Sequence, residues 1–413
     1  MSERYSGGMK TSLLIFSACL LALLSTIGAA LPYPILPPLF ADGSANGLNT
    51  FLGLPPKLLF GLALTINPIG LLIGSALLGP MSDRYGRRPV LLITSVGAAI
   101  GHAVTAAALL MESYPLFIVA RFVTGLLEGS GSVARALLAD RLEGDLRRKA
   151  LSWLNGAFYM GWLAGPLLAG ATLQFGITTP FWVAVAALLL VAALVAVTLP
   201  QEAPSSATTS WWQVARDRHA LNLLREPDLR SLFIITLAYT CGVTGFYEFY
   251  PLWLVEVPGY SAQGIAWTTA AMCAVMTATT IVAGRTSPSE PLLRARFYAF
   301  AVAAIIAALA ASNASIGILC IILYGIPHSF YNAIVPNYCA ERFGGVHGQG
   351  AVMGLISTTF CLANIIMALI GAVLTLIDTR LILLLGACLT AWSAWRMQGW
   401  HRSMHAPVAG ALP

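Results

Sequence analysis

Charge is what this sequence has least of. Aspartate, glutamate, lysine and arginine make up only 10% of its 413 residues, where a soluble globular chain carries about 25%. Hydrophobic residues take 58%, so a water-soluble fold is excluded. The marks of most enzymes are missing too. There is no His-Glu-x-x-His pair, no Cys/His ligand set, no nucleotide loop and no polar stretch long enough for a soluble domain. The seven cysteines, Cys19, Cys241, Cys273, Cys320, Cys339, Cys361 and Cys388, fall in or at the ends of apolar runs, and none forms a Cys-x-x-Cys pair. They read as small polarisable packing residues, and neither a disulfide framework, a metal site nor a cofactor is expected.

The net charge of +6 raises nucleic acid as a partner, but its placement argues for a membrane. Basic residues are scattered over short gaps between apolar runs rather than gathered in one patch. There are twelve such runs, near 11–36, 56–79, 90–111, 115–138, 150–173, 179–199, 230–254, 262–284, 295–312, 315–338, 349–376 and 380–397. Each approaches the roughly 20 residues a helix needs to cross a bilayer. The first run resembles a signal peptide ending near Ala30, yet it continues into Pro32, Pro34, Pro37 and Pro38, and a first span is the better reading. With both termini cytoplasmic, only Lys57 and Arg380 fall in outer loops and Arg121 and Arg135 within a span, leaving 19 of 23 basic residues inside.

The expected division is a six-helix bundle over 1–199, a polar cytoplasmic linker over 200–229, and a second bundle with a short cytoplasmic tail over 230–413. Ala139-Asp140-Arg141 closes run 4 and Ala340-Glu341-Arg342 closes run 10, an offset of 201 residues. Two halves related by an axis along the membrane normal produce that repeat. Within the linker, 211–224 mixes aromatics and leucines with Arg216 and Arg218, which suits either an interfacial helix or a solvated strand of chain.

Between runs 2 and 3 lies Gly79-Pro80-Met81-Ser82-Asp83-Arg84-Tyr85-Gly86-Arg87-Arg88-Pro89. Gly79 and Gly86 suit close approach and reversal, and Pro89 suits a first helical turn. The run resembles the signature loop between spans 2 and 3 of the major facilitator superfamily, position for position. That resemblance implies an all-α membrane protein of twelve transmembrane helices in two pseudo-symmetric bundles, and a transporter rather than an enzyme. It also implies that Asp83, Arg87 and Asp140, with the start of span 11 near Gly348 to Gly350, latch the halves at the cytoplasmic face in the outward-open state, Arg84 and Arg88 completing the loop.

Candidate chemistry centres on run 4. Arg121, Glu128 and Arg135 recur every seven residues, within about 40° of one helix face, and ionisable groups in a span face water or one another. Gly125 and Gly129 beside them admit a neighbouring helix. Arg121-Phe122-x-x-Gly125 resembles the family's span 4 arginine motif, which implies proton coupling with Glu128 as protonatable partner; a purely structural ion-pair ladder is the alternative. In run 5, Ala157, Gly161, Gly165 and Ala169 form a small-residue stripe beside the kink expected at Pro166. The longer string resembles the span 5 motif of proton-exchanging exporters. Gly28, Pro34 and Pro37 resemble the span 1 pattern of twelve-helix drug/proton antiporters, although run 1 lacks the acidic residue many of them carry.

In the second half Glu248 stands among Phe246, Tyr247, Phe249 and Tyr250, before Pro251 and Trp253. It is either a second proton carrier or part of an outer aromatic belt, snorkelling to water. Run 10 adds Tyr324, His328, Tyr331 and Asn332. His328 is a candidate proton site, although a lone satisfied histidine is the plainer reading; His102 in run 3 has less support. Phe246, Tyr247, Tyr324, Tyr331, Asn332 and Tyr159 are the candidate substrate-cavity residues, around a midplane passage lined by runs 1, 4, 7 and 10. The expected activity is proton-coupled antiport, exporting a small organic molecule or drug across the inner membrane by alternating access. Export of one metabolite such as a siderophore, or proton symport for uptake, are the rival readings. Expected partners are substrate, protons and lipid, with no nucleic acid, and the chain is expected to be a monomer.

Overall fold

A computed structural model describes residues 2–41, 44–199, 220–283, 289–347 and 349–405. Each of the twelve apolar runs is helical, and no strand occurs among the described residues. In chain order the helices are α1 (Ser2–Ala30), α2 (Pro32–Ala41), α3 (Pro56–Tyr85), α4 (Arg87–Leu110), α5 (Tyr114–Glu128), α6 (Gly131–Arg141), α7 (Gly144–Thr172) and α8 (Thr179–Thr198). They continue as α9 (Pro227–Glu256), α10 (Ala262–Ala283), α11 (Pro291–Ala311), α12 (Ala314–His347), α13 (Gln349–Leu374) and α14 (Thr379–His405). Most of the proposed interfacial segment 211–224 lies outside the described residues; its end is a short 3-10 turn, Ala220–Arg225.

Eleven stretches among the described residues are long and apolar enough to cross a membrane, counting α1 with α2 and α5 with α6 as single spans. The run not among them is α7, a helix of 29 residues made less apolar by Asn155, Trp162, Pro166 and its glycines. Exposed apolar side chains such as Ile93, Leu190, Val197, Phe297 and Val373 form the kind of surface that hydrocarbon covers at no cost.

The chain divides into two compact units, Met1–His219 with Tyr260–Trp267, and Ala220–Gly259 with Thr268–Pro413. In the first, α1 packs on α7 and α8, α3 on α5, and α4 on α5 and α8. Its apolar core includes Leu21 and Ala22 of α1, Leu91 of α4, Val133 and Leu138 of α6, Leu154 of α7 and Val191 of α8. In the second, α9 packs on α13 and α14, and α11 on α12 and α14.

Two local breaks depart from the sequence reading. The first span is parted at Leu31, because Pro32 has no amide to give the Gly28 carbonyl. The fourth run, expected as one helix, is parted at Gly129–Ser130: the Ser130 amide bonds the Leu127 carbonyl and the Ser132 amide that of Gly129, three residues back rather than four. Backbone contact explains the site of the break. A Cβ on Gly129 would meet the α3 backbone at Gly74 and Ser75, and one on Gly125 would meet the Asn67 carbonyl. From the other side, Gly70 and Gly74 abut the carbonyls of Phe122 and Leu126. Two glycine pairs at four-residue spacing, only one of them expected, let α3 and α5 touch main chain to main chain.

Candidate functional site

The polar centre of the first unit is built from α1, α3, α4 and α5. Arg121 and Glu128 are each 3% exposed and His102 is fully buried. Arg121 does not hydrogen-bond Glu128. Its Nη1 donates to the Gly28 carbonyl at 3.3 Å and its Nη2 to that of Ala29 at 3.1 Å. The first is the carbonyl that Pro32 deprives of its helical partner, so the guanidinium completes the broken end of α1. Glu128, the last residue of α5, meets His102 instead, with Oε1 at 2.9 Å from the imidazole Nε2. The Asn67 amide from α3 bonds Glu128 Oε2 at 3.3 Å and the Arg121 carbonyl at 3.2 Å.

Arg135, expected on the same stripe, lies beyond the break in α6, with its guanidinium 4.8 Å from the Phe158 ring centre. His102 and Asn67 are the residues that sequence reasoning undervalued. A histidine inside a membrane span was itself the available signal, but its partner sits on another helix and no spacing announces it.

Glycine admits α1 to this cluster. A Cβ on Gly28 would strike the His102 imidazole and Glu128 Oε1. On the opposite flank of α1, Gly161 of α7 abuts Thr26 and the Leu23 carbonyl, and Gly165 abuts Ala30 and the Ile27 carbonyl. The small stripe with Pro166 inside α7 therefore faces the helix whose broken end Arg121 holds. The side chain of Tyr159 lies outside the described residues.

At one end of the same unit, α3 continues as helix to Tyr85 and the reversal takes one residue, Gly86, at φ 93°. Gly79 serves no close approach, contrary to expectation: a Cβ there would find Ser132 Oγ at an ordinary 3.7 Å. Arg87, 8% exposed, ties the turn together. It donates to Ser82 Oγ at 3.0 Å, pairs with Asp83 at 3.0 Å, and reaches Asp140 at the end of α6 through Nε at 3.1 Å and through Nη2. Arg88 donates to the Ala196 carbonyl of α8 at 2.6 Å, and Arg84 lies over the Tyr85 ring. Gly348 lies outside the described residues.

The second unit holds an aromatic stack between α9 and α12. Tyr331 stacks on Tyr239 at 3.5 Å, Tyr324 on His328 at 5.0 Å, and Phe246 on Tyr324 at 4.0 Å. His328 is satisfied on both nitrogens, with the Tyr239 hydroxyl 3.0 Å from Nδ1 and the Asn332 amide 2.8 Å from Nε2. Tyr247 bonds Met276 Sδ at 3.0 Å. Phe246, Tyr324 and Tyr331 pack against other rings and are buried, while Tyr247 and Asn332 are part-exposed at the edge. Glu248 is 1% exposed, and neither carboxyl oxygen has a hydrogen-bond partner among the described residues. It does not snorkel.

Membrane-length helices that enclose an arginine, a carboxylate and a histidine define an all-α membrane protein with an intramembrane polar site. The chain belongs to the Major Facilitator Superfamily, whose family model matches residues 18–368, a family of transporters rather than enzymes. It is 30% identical over 169 residues to the class B tetracycline resistance protein of Escherichia coli, covering 40% of this chain and 39% of that protein. The chain thus aligns with about two fifths of that relative's length. A D-xylose–proton symporter shares its fold at a TM-score of 0.72 with 18% identity, over 94% of this chain and 97% of that one. The human organic anion transporter MFSD10 does so at 0.66 with 19% identity, over 94% and 99%.

Proposed function

We propose that the chain is a secondary active transporter that exchanges protons for a small organic molecule, exporting it across the inner membrane by alternating access. The observation that carries this is the carboxylate of Glu128, buried halfway along the Tyr114–Arg141 stretch and bonded to the His102 imidazole rather than to the Arg121 guanidinium. A carboxylate kept only to brace helices gains most from the arginine one face away. Glu128 is the proton site in this reading, Arg121 anchors it to α1, and Glu248 is a second protonatable group. His328 shapes the aromatic wall. Tyr247 and Asn332 form the part of that wall that cargo meets first, and organic cations or planar rings suit it. Tetracycline resistance among the relatives favours export of a drug-like molecule over uptake.

The test uses the full chain in inside-out vesicles with an acid lumen and tetracycline as first probe, followed by a panel of organic cations. Antiport raises lumenal pH on addition of probe and symport lowers it. Full proton-coupled efflux by Glu128→Gln would remove Glu128 from this role.

A further inference from the structure

The structure assigns His102 to the proton site: His102 and Glu128, joined through Nε2 and Oε1, act as one coupled acid–base pair that takes up a single proton. This rests on the proton-exchange reading above and extends it to a residue on a different helix.

The hydrogen bonds locate the proton. The Arg121 carbonyl can only accept, so the Asn67 atom 3.2 Å from it is the donating nitrogen. That nitrogen also faces Glu128 Oε2 at 3.3 Å, which makes Oε2 an acceptor. The acidic proton of Glu128 therefore has one place to go, Oε1, opposite His102 Nε2 at 2.9 Å. His102 Nδ1 is buried without a hydrogen-bond partner among the described residues, so it is open to carry or to lack a hydrogen.

With neutral imidazole and ionised carboxylate, Nε2–H donates to Oε1 and the pair carries one negative charge. One further proton makes the pair neutral and comes to rest on Nδ1: either Nε2–H still donates to Oε1, as imidazolium–carboxylate, or the bridging proton passes to Oε1 and Nε2 accepts, as imidazole–carboxylic acid. Arg121 stays cationic throughout, so the pocket passes from neutral to singly positive.

Little else among the described side chains titrates nearby. Arg121, on the helix that carries Glu128, is the fixed charge, and Tyr33 of α2 lies in electrostatic range of it. From α3 the facing group is uncharged Asn67, and from α1 it is Gly28. From α8, which has no titratable side chain, the Phe181 ring lies 6.2 Å from the imidazole. Titration of either partner is felt first by the other, the condition for a shared macroscopic titration.

Infrared pH-difference spectra of the full chain in proteoliposomes test this, with Glu128→Gln identifying the carboxyl band. In the native chain the band is expected to titrate together with the imidazole bands. His102→Gln should replace the shared curve with a simple single-site one. An unchanged midpoint and shape in a folded His102→Gln variant would overturn the assignment. If that variant does not fold, nitrogen NMR of labelled histidine in the native chain decides. A His102 signal that changes with pH, and loses that change in Glu128→Gln, supports the pair; one that is constant or unaffected overturns it. Vesicle transport separates this from the broader reading, since coupled titration with full proton-coupled efflux by Glu128→Gln would sink the transport role and leave the pair standing.

Discussion

The Gly28 carbonyl, stranded by Pro32, is held by the Arg121 guanidinium at 3.3 Å. The same glycine, through the side chain it lacks, makes room for His102 and Glu128. One residue of α1 thus joins a helix break to the buried His102–Glu128 contact.

Gly28→Val is expected to lower stability by about 1–3 kcal/mol through overpacking and to abolish transport, and Gly28→Ala to do so less severely. Size-exclusion profiles after a temperature ramp, together with vesicle uptake, check both. A Val variant as heat-resistant and active as the native chain would mean that α1 has slack the packing does not show.

Arg121→Lys should fail although it keeps the charge. A point ammonium cannot reproduce the planar fork that serves two carbonyls, and each unsatisfied carbonyl costs about 1–3 kcal/mol. Efflux is expected to fall at least about tenfold, the equivalent of 1.4 kcal/mol, with the protein still inserted. Native rates in Arg121→Lys would show that charge alone is needed there.

The two motif glycines should separate cleanly. Gly86 sits at φ 93°, a region that costs other residues about 1–3 kcal/mol, so Gly86→Ala should reduce folded yield. Gly79→Ala places its methyl 3.7 Å from Ser132 Oγ inside a helix, where alanine is favoured by about 1 kcal/mol, and should be tolerated. Comparable thermal stability of the two variants would contradict this.

Glu248→Gln should leave thermal stability equal or higher, because no hydrogen bond among the described residues holds the carboxyl and an unpaired buried acid is a burden to the fold. Coupling should suffer instead, with fewer protons moved per probe molecule in the vesicle assay. Severe destabilisation without any change in stoichiometry would make Glu248 a packing residue.

Much of this protein was legible as a string of letters, because lipid leaves a chain few options. Backbone groups must be satisfied within each span, so twelve apolar runs become helices and their ends follow from length. Gly86 was readable because a one-residue reversal between helices needs a conformation other residues avoid. Arg121 and Glu128 stood out in run 4 as well, since ionisable groups in a span are rare, whereas Arg135, expected on the same stripe, lies beyond the break. Partnership was not legible. Whether Glu128 bonds Arg121 or His102 depends on how α4 and α5 are rotated about their axes. That rotation is set by glycines on α1 and α3 whose contacts lie tens of residues away in sequence. The same reason hides the break at Gly129 and the solitude of Glu248: each is decided by what a neighbouring helix presents at that level of the bundle. Composition and spacing determined that the chain crosses the membrane and where it turns; the packing of helix against helix decided which buried groups meet.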